Sequence, residues 1–349
     1  MHAIVLVGGF GTRLRPLTST RPKQMLPLLD RPMIEWVVEH LARFGVDDVV
    51  LSLGYLPDAF RAAYPDGRCC GARLRYAVEP EPLDTAGAIR FAARHAGLDE
   101  RFVVVNGDVI ADVDLGALLA LHVARGAEAT IHLAEVEDPA RYGVVPIDDA
   151  GRVLAFIEKP AAADAPTRWV NAGTYVLEAS VLDRIPEGRR VSIERETFPA
   201  LVAEGSLFAV QDDGYWIDAG TPECYVQVQL DLAARDGGRE GGGAGYRHPT
   251  AVVRRGAHVE RSVLMARTVV EAGAEVVGSV LLPGAVVASG ARVAASVLGE
   301  GATAGPGALV LDGSLVGDGA LVPPGEHRRA RLGVEAPDSP SADAALGSA

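Results

Sequence analysis

Lysine is almost missing from this 349-residue chain: of 33 basic residues, only Lys23 and Lys159 are lysines, and the rest are arginines. A compact ammonium and a planar guanidinium do different work. Two lysines in an arginine background are therefore candidates for function, against the plainer reading that both survived a coding bias. Cysteine is scarce too. Cys69, Cys70 and Cys224 make an odd count with no repeated spacing, which argues against a disulfide framework or a zinc cage. No apolar run approaches the ~20 residues of a membrane span. The early run Ala3 to Val7 meets Gly8 and Gly9, with no basic lead and no cleavage site. It reads as a buried strand and not as a signal peptide. The chain reads as soluble and cytoplasmic, with no membrane partner. A net charge of −13 disfavours nucleic acid as a general partner.

The charge is unevenly spread. Residues 1–29 hold Arg13, Arg15, Arg21 and Lys23 and no acidic residue. A basic segment in an acidic chain suits a small polyanion such as a nucleotide; the alternative is a solvated basic loop. Strand-like and helix-like segments alternate up to about residue 232. Ala3–Val7, Val49–Leu53, Phe102–Val105, Ala129–Val136 and Val153–Ile157 have strand character. Met33–Phe44, Thr85–His95 and Leu115–Val123 have helical periodicity. This rhythm predicts an α/β domain with a mostly parallel, Rossmann-like sheet covered on both faces. Ligands on such sheets sit at the carboxyl ends of strands, which directs attention to the loops after Val7 and Val105. His95 and His122 fall on helices and read as surface residues.

The texture changes at Asp236–Gly245, where six of ten residues are glycine, as in a linker. Beyond it Gly301, Gly307, Gly313, Gly319 and Gly325 are spaced by six, as are Gly284 and Gly290, with aliphatics in register. A six-residue period with a small residue at each corner predicts a left-handed parallel β-helix. Gly256 and Gly273 keep part of the rhythm earlier. The expected organisation is a catalytic domain over 1–235, a Gly-rich linker over 236–247, the β-helix over 248–328 and a disordered tail over 329–349. The open ends and flat faces of a stacked coil suggest a homo-oligomer.

The richest motif is Gly8-Gly9-Phe10-Gly11-Thr12-Arg13-Leu14-Arg15-Pro16, completed by Arg21-Pro22-Lys23. Glycines let backbone N–H groups approach a phosphate. Arg13 can fork onto phosphate oxygens, and Lys23 supplies a point charge. The spacing is neither a Walker A loop nor the dinucleotide fingerprint. The string resembles the signature of the sugar-phosphate nucleotidyltransferases, most of all their mannose-1-phosphate guanylyltransferase branch. The resemblance continues through Glu81-Pro82-Leu83-Asp84-Thr85-Ala86-Gly87, Asn106-Gly107-Asp108, Tyr142-Gly143-Val144-Val145, Glu158-Lys159-Pro160, Asn171-Ala172-Gly173, Ser192-Ile193-Glu194-Arg195-Glu196 and Trp216-Ile217-Asp218.

It implies transfer of a nucleotidyl group to a sugar-1-phosphate with release of pyrophosphate. Asp108 and Asp218 would then be the ligands of Mg²⁺, which accepts one or two carboxylates and completes its shell with phosphate and water oxygens. Gly8, Gly9, Gly11, Thr12, Glu79, Glu81, Thr85 and Gly87 would hold the nucleotide. Lys159 would hold the acceptor phosphate, with Gly143, Glu158 and Asn171 around the sugar. Arg13, Lys23 and Lys159 would offset repulsion between the two phosphates.

A carboxylate only accepts hydrogen bonds, and guanine offers an adjacent pair of N–H donors, so Glu79 or Glu81 favours GTP. Asp84 departs from the glycine common at its position in the mannose-1-phosphate branch. Lys23-Gln24 resembles the thymidylyl branch, so a thymidylyltransferase acting on glucose-1-phosphate stays open. So does a cyclitol phosphate acceptor such as valienol-1-phosphate. A non-catalytic partner subunit is disfavoured because both aspartates and both lysines are kept.

Overall fold

The computed structural model describes residues 1–235 and 245–330. The glycine-rich core of the expected linker and residues 331–349 of the expected tail lie outside the described residues. The chain divides into two compact units. The first comprises Met1–Phe10 and Ser19–Gly220; the second comprises Gly11–Thr18 and everything from Thr221 onward.

The first unit is an α/β layer structure. Its strands are β1 (His2–Leu6), β2 (Pro27–Leu28), β3 (Arg31–Pro32), β4 (Asp48–Leu53), β5 (Arg68–Cys69), β6 (Ala72–Val78), β7 (Phe102–Asn106), β8 (Val109–Ala111), β9 (Ala129–Glu135), β10 (Gly143–Val144), β11 (Ile157–Glu158), β12 (Trp169–Leu177), β13 (Leu207–Asp212) and β14 (Trp216–Asp218). Its helices are α1 (Met33–Arg43), α2 (Asp58–Ala63), α3 (Asp84–Ala96), α4 (Leu115–Arg125) and α5 (Phe198–Glu204). Ten strands form the main sheet in the order β11-β10-β12-β7-β1-β4-β6-β5, with β9 bridging β12 and β13. The β7-β1-β4-β6 block is parallel, and β12 runs antiparallel to β7 and β9.

β1 and β7 are buried almost throughout, as expected of strands covered on both faces. Ile89, Ala92 and Ala93 of α3 pack on Ile4, Val50, Phe102 and Val104. On α1, Ile34, Val37, Val38 and Leu41 are buried at helical spacing. Two sequence expectations change here. Val153–Ile157 is not one strand: Val153 makes an isolated bridge to Ile147 and only Ile157–Glu158 pairs with β10. Leu154 between them is 57% exposed, so this apolar run has no continuous buried face. His122 is not at the surface. It is fully buried, within hydrogen-bond distance of the Thr130 hydroxyl and the Glu178 carboxylate.

In the second unit, α6 (Pro222–Arg235) is followed by strands from Tyr246 to Arg329 that stack into three parallel five-stranded sheets. This is the left-handed β-helix. Val270, Val276, Val287, Val293, Val310, Val316 and Val322 fill its interior. The corner glycines Gly284, Gly290, Gly301, Gly307, Gly313, Gly319 and Gly325 all have positive φ, which only glycine adopts without strain. Glu275 lies opposite Arg292, seventeen residues on, whereas Leu309 lies opposite His327, eighteen on. Most coils are thus one residue shorter than three full hexapeptides.

Candidate functional site

The loop after β1 begins the site. Val7 N–H is held by Ser52 O at 3.0 Å. Gly8 then passes Gly54 so closely that a Cβ on Gly54 would lie 3.0 Å from Gly8 O, and one on Gly8 would lie 3.3 Å from Glu79 Oε1. The Gly8 backbone thus leaves no room for a side chain at Gly54, and one at Gly8 would press on the Glu79 carboxylate. Gly8, Gly9, Phe10, Lys23, Gln24, Gly54, Glu79, Glu81, Asp84, Thr85, Asn106, Asp108 and Arg190 are among the residues lining a cavity of about 500 Å³. It lies at the carboxyl ends of β1, β4, β6 and β7, where the sequence pattern directed attention.

Lys23 is 7% exposed and donates to the Asp108 carboxylate. Asp108 follows β7, and Asp218 ends β14. β14 pairs antiparallel with β8, placing Asp218 opposite Val109, while Ala219 N–H donates to Asp108 O at 3.0 Å. The two aspartates are thus neighbours across a short ribbon. Among the described residues, no cluster of three or more His, Cys, Asp or Glu could hold a metal ion. Two carboxylates, that of Asp108 lining the cavity and that of Asp218 on the adjoining ribbon, suit a hard cation that draws its remaining oxygens from substrate and water. Asp108 and Asp218 fit that donor set.

Other candidates are occupied in ways the sequence did not reveal. Glu79 accepts from the Ser52 hydroxyl through one oxygen and from Leu83 N–H through the other, each at 3.1 Å. Burial pushes its carboxyl above the usual range, opposed by those two hydrogen bonds. Glu81 is exposed. The Thr85 hydroxyl donates to Glu194 at 2.7 Å and accepts from Ile193 N–H at 2.8 Å. Gly87 does not line this cavity. Its N–H donates to Val191 O, and a Cβ there would lie 2.8 Å from Arg189 O, so it serves close packing of the 189–191 strap on α3.

A second group gathers Gly143, Glu158, Lys159 and Asn171. Gly143 pairs with Glu158 in the β10–β11 ribbon, and a Cβ on Gly143 would lie 2.7 Å from the Phe156 ring. Lys159 has a left-handed backbone (φ 50°), its N–H donates to Tyr142 O, and its ammonium lies 3.5 Å from the Glu158 carboxylate. Asn171 donates to the Tyr175 hydroxyl at 2.9 Å and accepts from Gly173 N–H, at an irregularity in β12. Trp216 donates to Ala172 O and meets the Tyr142 ring edge-on. Gly173 touches Asn106, where a Cβ would come within 2.6 Å. This contact links the second group to the cavity.

Gly11, Thr12 and Arg13 belong to the second unit. There Thr12–Leu14 forms a 3-10 turn with Leu14 buried and Arg13 exposed, and a Cβ on Gly317 would lie 3.1 Å from the Pro16 ring. Residues missed from sequence are Gln24, Arg190 and Phe10. Gln24 is 2% exposed, with a buried Oε1 lacking a hydrogen-bond partner. Its place beside Lys23 was the available signal. Phe10 stands within the signature string, and Arg190 carried no signal.

A glycine loop, a lysine and an aspartate meet at the carboxyl edge of the parallel strands of an α/β sheet, the edge at which such sheets hold their ligands. Residues 2–235 match the nucleotidyl transferase family, and residues 249–318 match the GlmU-like C-terminal hexapeptide family. The chain belongs to the nucleotidyl transferase family.

It is 44% identical over 234 residues to mannose-1-phosphate guanylyltransferase of Mycobacterium tuberculosis, a match covering 66% of this chain and 64% of that protein, less than two thirds of its length. It is 41% identical over 249 residues to mannose-1-phosphate guanyltransferase of Hypocrea jecorina, covering 69% and 67%. The crystal structure of HddC from Yersinia pseudotuberculosis complexed with GMP-PN has a TM-score of 0.57 at 28% identity, covering 66% of this chain and 99% of that one.

Proposed function

We propose that the chain transfers GMP from GTP to a sugar-1-phosphate, or to a cyclitol-1-phosphate of similar shape such as valienol-1-phosphate, releasing pyrophosphate. The observation that carries this is Lys23 hydrogen-bonded to Asp108 in the cavity, with Asp218 on the adjoining ribbon. The names of the Mycobacterium and Hypocrea relatives and the GMP-PN complex of the Yersinia protein support guanine and mannose-1-phosphate as first choices. An acceptor phosphate oxygen attacks the α-phosphorus of the triphosphate, and the bond from that phosphorus to the β-bridging oxygen breaks.

Lys23 offsets charge on the triphosphate, and Gly8 and Gly9 offer N–H groups to it; Gly11, Thr12 and Arg13, which the sequence also assigned to the nucleotide, belong to the second unit. Lys159 holds the acceptor phosphate, while Glu158, Asn171 and Gly143 shape the sugar side. Mg²⁺, held by Asp108 and Asp218, would supply positive charge to the phosphates in an in-line displacement. No helix among the described residues is long and apolar enough to cross a membrane. Action in the cytoplasm, where nucleoside triphosphates are abundant, and self-association through the β-helix belong to the same reading.

One observation favours a second base. Gln24, with its buried and unpartnered Oε1 in the cavity, could receive a hydroxyl or N–H of a thymidine nucleotide. The test is pyrophosphate release with Mg²⁺ over a grid of GTP, dTTP, ATP and UTP against mannose-, glucose- and cyclitol-1-phosphates, with Asp108→Asn as the blank. Turnover confined to GTP with one acceptor is expected. Turnover with dTTP alone would sink the guanylyl reading and keep the reaction. Silence in every combination would restore the non-catalytic partner.

A further inference from the structure

We propose that Cys69 and Cys70 form a preorganised two-thiol site for a trivalent, thiol-seeking metalloid of the arsenous acid class. The site lies at the amino end of β6, whereas the cavity lies at the carboxyl end of that strand. It does not depend on which nucleotide the chain uses.

The two cysteines stand at a hairpin. β5 and β6 pair antiparallel with Cys69 opposite Ala72, so Cys70 and Gly71 alone make the turn. Both have positive φ, 48° and 87°, the backbone of a two-residue hairpin loop whose first position favours asparagine, aspartate or glycine. Cysteine is strained there, and strain that persists beside a reactive group points to function. Cys69 is buried and Cys70 is exposed. Cys69 alone would be a small hydrophobe of the core, but packing asks for no thiol at an exposed turn.

The turn brings the sulfurs together. The Cys69 thiol donates to Cys70 Sγ at 3.7 Å, and the Cys70 thiol donates to Glu35 O on α1 at 3.5 Å. Successive side chains of an extended strand point to opposite faces; here the left-handed residue brings the second thiol back to the first. The Glu35 carboxylate is engaged by the Tyr64 hydroxyl at 3.1 Å. Among the described residues no cluster of three His, Cys, Asp or Glu could hold a metal ion. The site thus offers two sulfurs and no third protein ligand, the donor set for a centre that carries its own third substituent.

Soft sulfur donors select soft acceptors. Burial pushes both thiols above their usual range, which slows the thiolate chemistry of alkylation and disulfide exchange. Condensation with a metalloid hydroxide escapes that limit. Two As–S bonds form and two As–O bonds break, and the thiol protons leave with the displaced hydroxides as two waters. The third hydroxide stays on arsenic. Arsenic remains trivalent, so no oxidant is needed.

The experiment uses the full reduced chain, titrated with phenylarsine oxide and followed by native mass spectrometry and thermal melting. Wild type and Cys224→Ser should each take up one phenylarsenic group with loss of one water, released by a vicinal dithiol but not by a monothiol. Cys70→Asn suits the turn backbone, so it should melt no lower than wild type. That variant and Cys69→Ala should bind about a hundredfold more weakly, because closure of the second bond within one molecule supplies the affinity. The folded turn holds the sulfurs together, so the ligand should raise the melting temperature of wild type. Equal affinity in wild type and Cys70→Asn, or loss of binding in Cys224→Ser, overturns the site. A melting temperature that does not rise would make adjacency in sequence the whole cause and overturn the preorganisation.

Discussion

His132 lies on β9 with 3% of its surface exposed. Its Nε2 is 3.6 Å from the Asp212 carboxylate, and its Nδ1 is buried without a hydrogen-bond partner. Burial pushes its pKa down to about 4, with Asp212 opposing and the neighbouring His40 assisting. The unfolded chain protonates this imidazole near pH 6.5, whereas the folded chain refuses the proton until about pH 4. Stability is therefore complete above the unfolded value and is lost as the pH falls between the two. At pH 5 the loss from His132 is about 2 kcal/mol. His40 and His122 are lowered in the same direction by burial and leave a residual slope. Urea midpoints of the first unit at pH 7.5 and pH 5 should separate clearly in wild type and less in His132→Gln. Equal separations would refute the assignment.

At this scale the sequence names residues but not their occupancy. Lys23 and Asp108 stood out as a scarce lysine and a strand-end aspartate, and they meet. That Ser52 and Leu83 hold both oxygens of Glu79 depends on a contact between separate loops, which no local pattern encodes.

At the scale of elements, the β-helix contains a polar ladder within an apolar coil. Ser262, Ser279 and Ser296 are buried one coil apart. Each hydroxyl donates to the carbonyl two residues before it, and those of Ser262 and Ser279 also accept the N–H of the next serine in the stack, at 3.1 and 3.2 Å. Removing one rung leaves a buried N–H without an acceptor, at about 1–3 kcal/mol. Ser279→Ala should lower the thermal midpoint of this unit, whereas Thr303→Ala on a partly exposed face should shift stability by less than about 0.5 kcal/mol. Equal effects of the two would show that the ladder is incidental.

The glycine spacing was legible because each corner needs positive φ. The shortened coil was not, because the serine corner turns with hydroxyl-to-backbone bonds and its left-handed residue is Arg261, Gly278 or Ala295, so that no repeated glycine marks it. The parallel strands were legible as unbroken apolar runs. β10 and β11, only two residues each, are set by pairing with distant strands and carry no period of their own.

The two units have separate interiors, one built around β1, β7, β12 and α3 and the other of stacked aliphatics. The signature string reads continuously in sequence, yet Gly11–Thr18 groups with the β-helix. Its partner Gly317 is some three hundred residues away, beyond the reach of motif reasoning. Separate cores imply that unfolding is not a single two-state event, so calorimetry should resolve two transitions. The cavity is lined wholly by residues of the first unit. A nucleotide bound there stabilises that unit by about 2.7 kcal/mol at a hundredfold excess over its dissociation constant. GTP with Mg²⁺ should therefore raise one transition by several degrees and leave the other in place, and Ser279→Ala should lower the transition that GTP does not move. If GTP raised both transitions together, the units would unfold as one cooperative block. The division of the chain seen in its contacts would then have no thermodynamic counterpart.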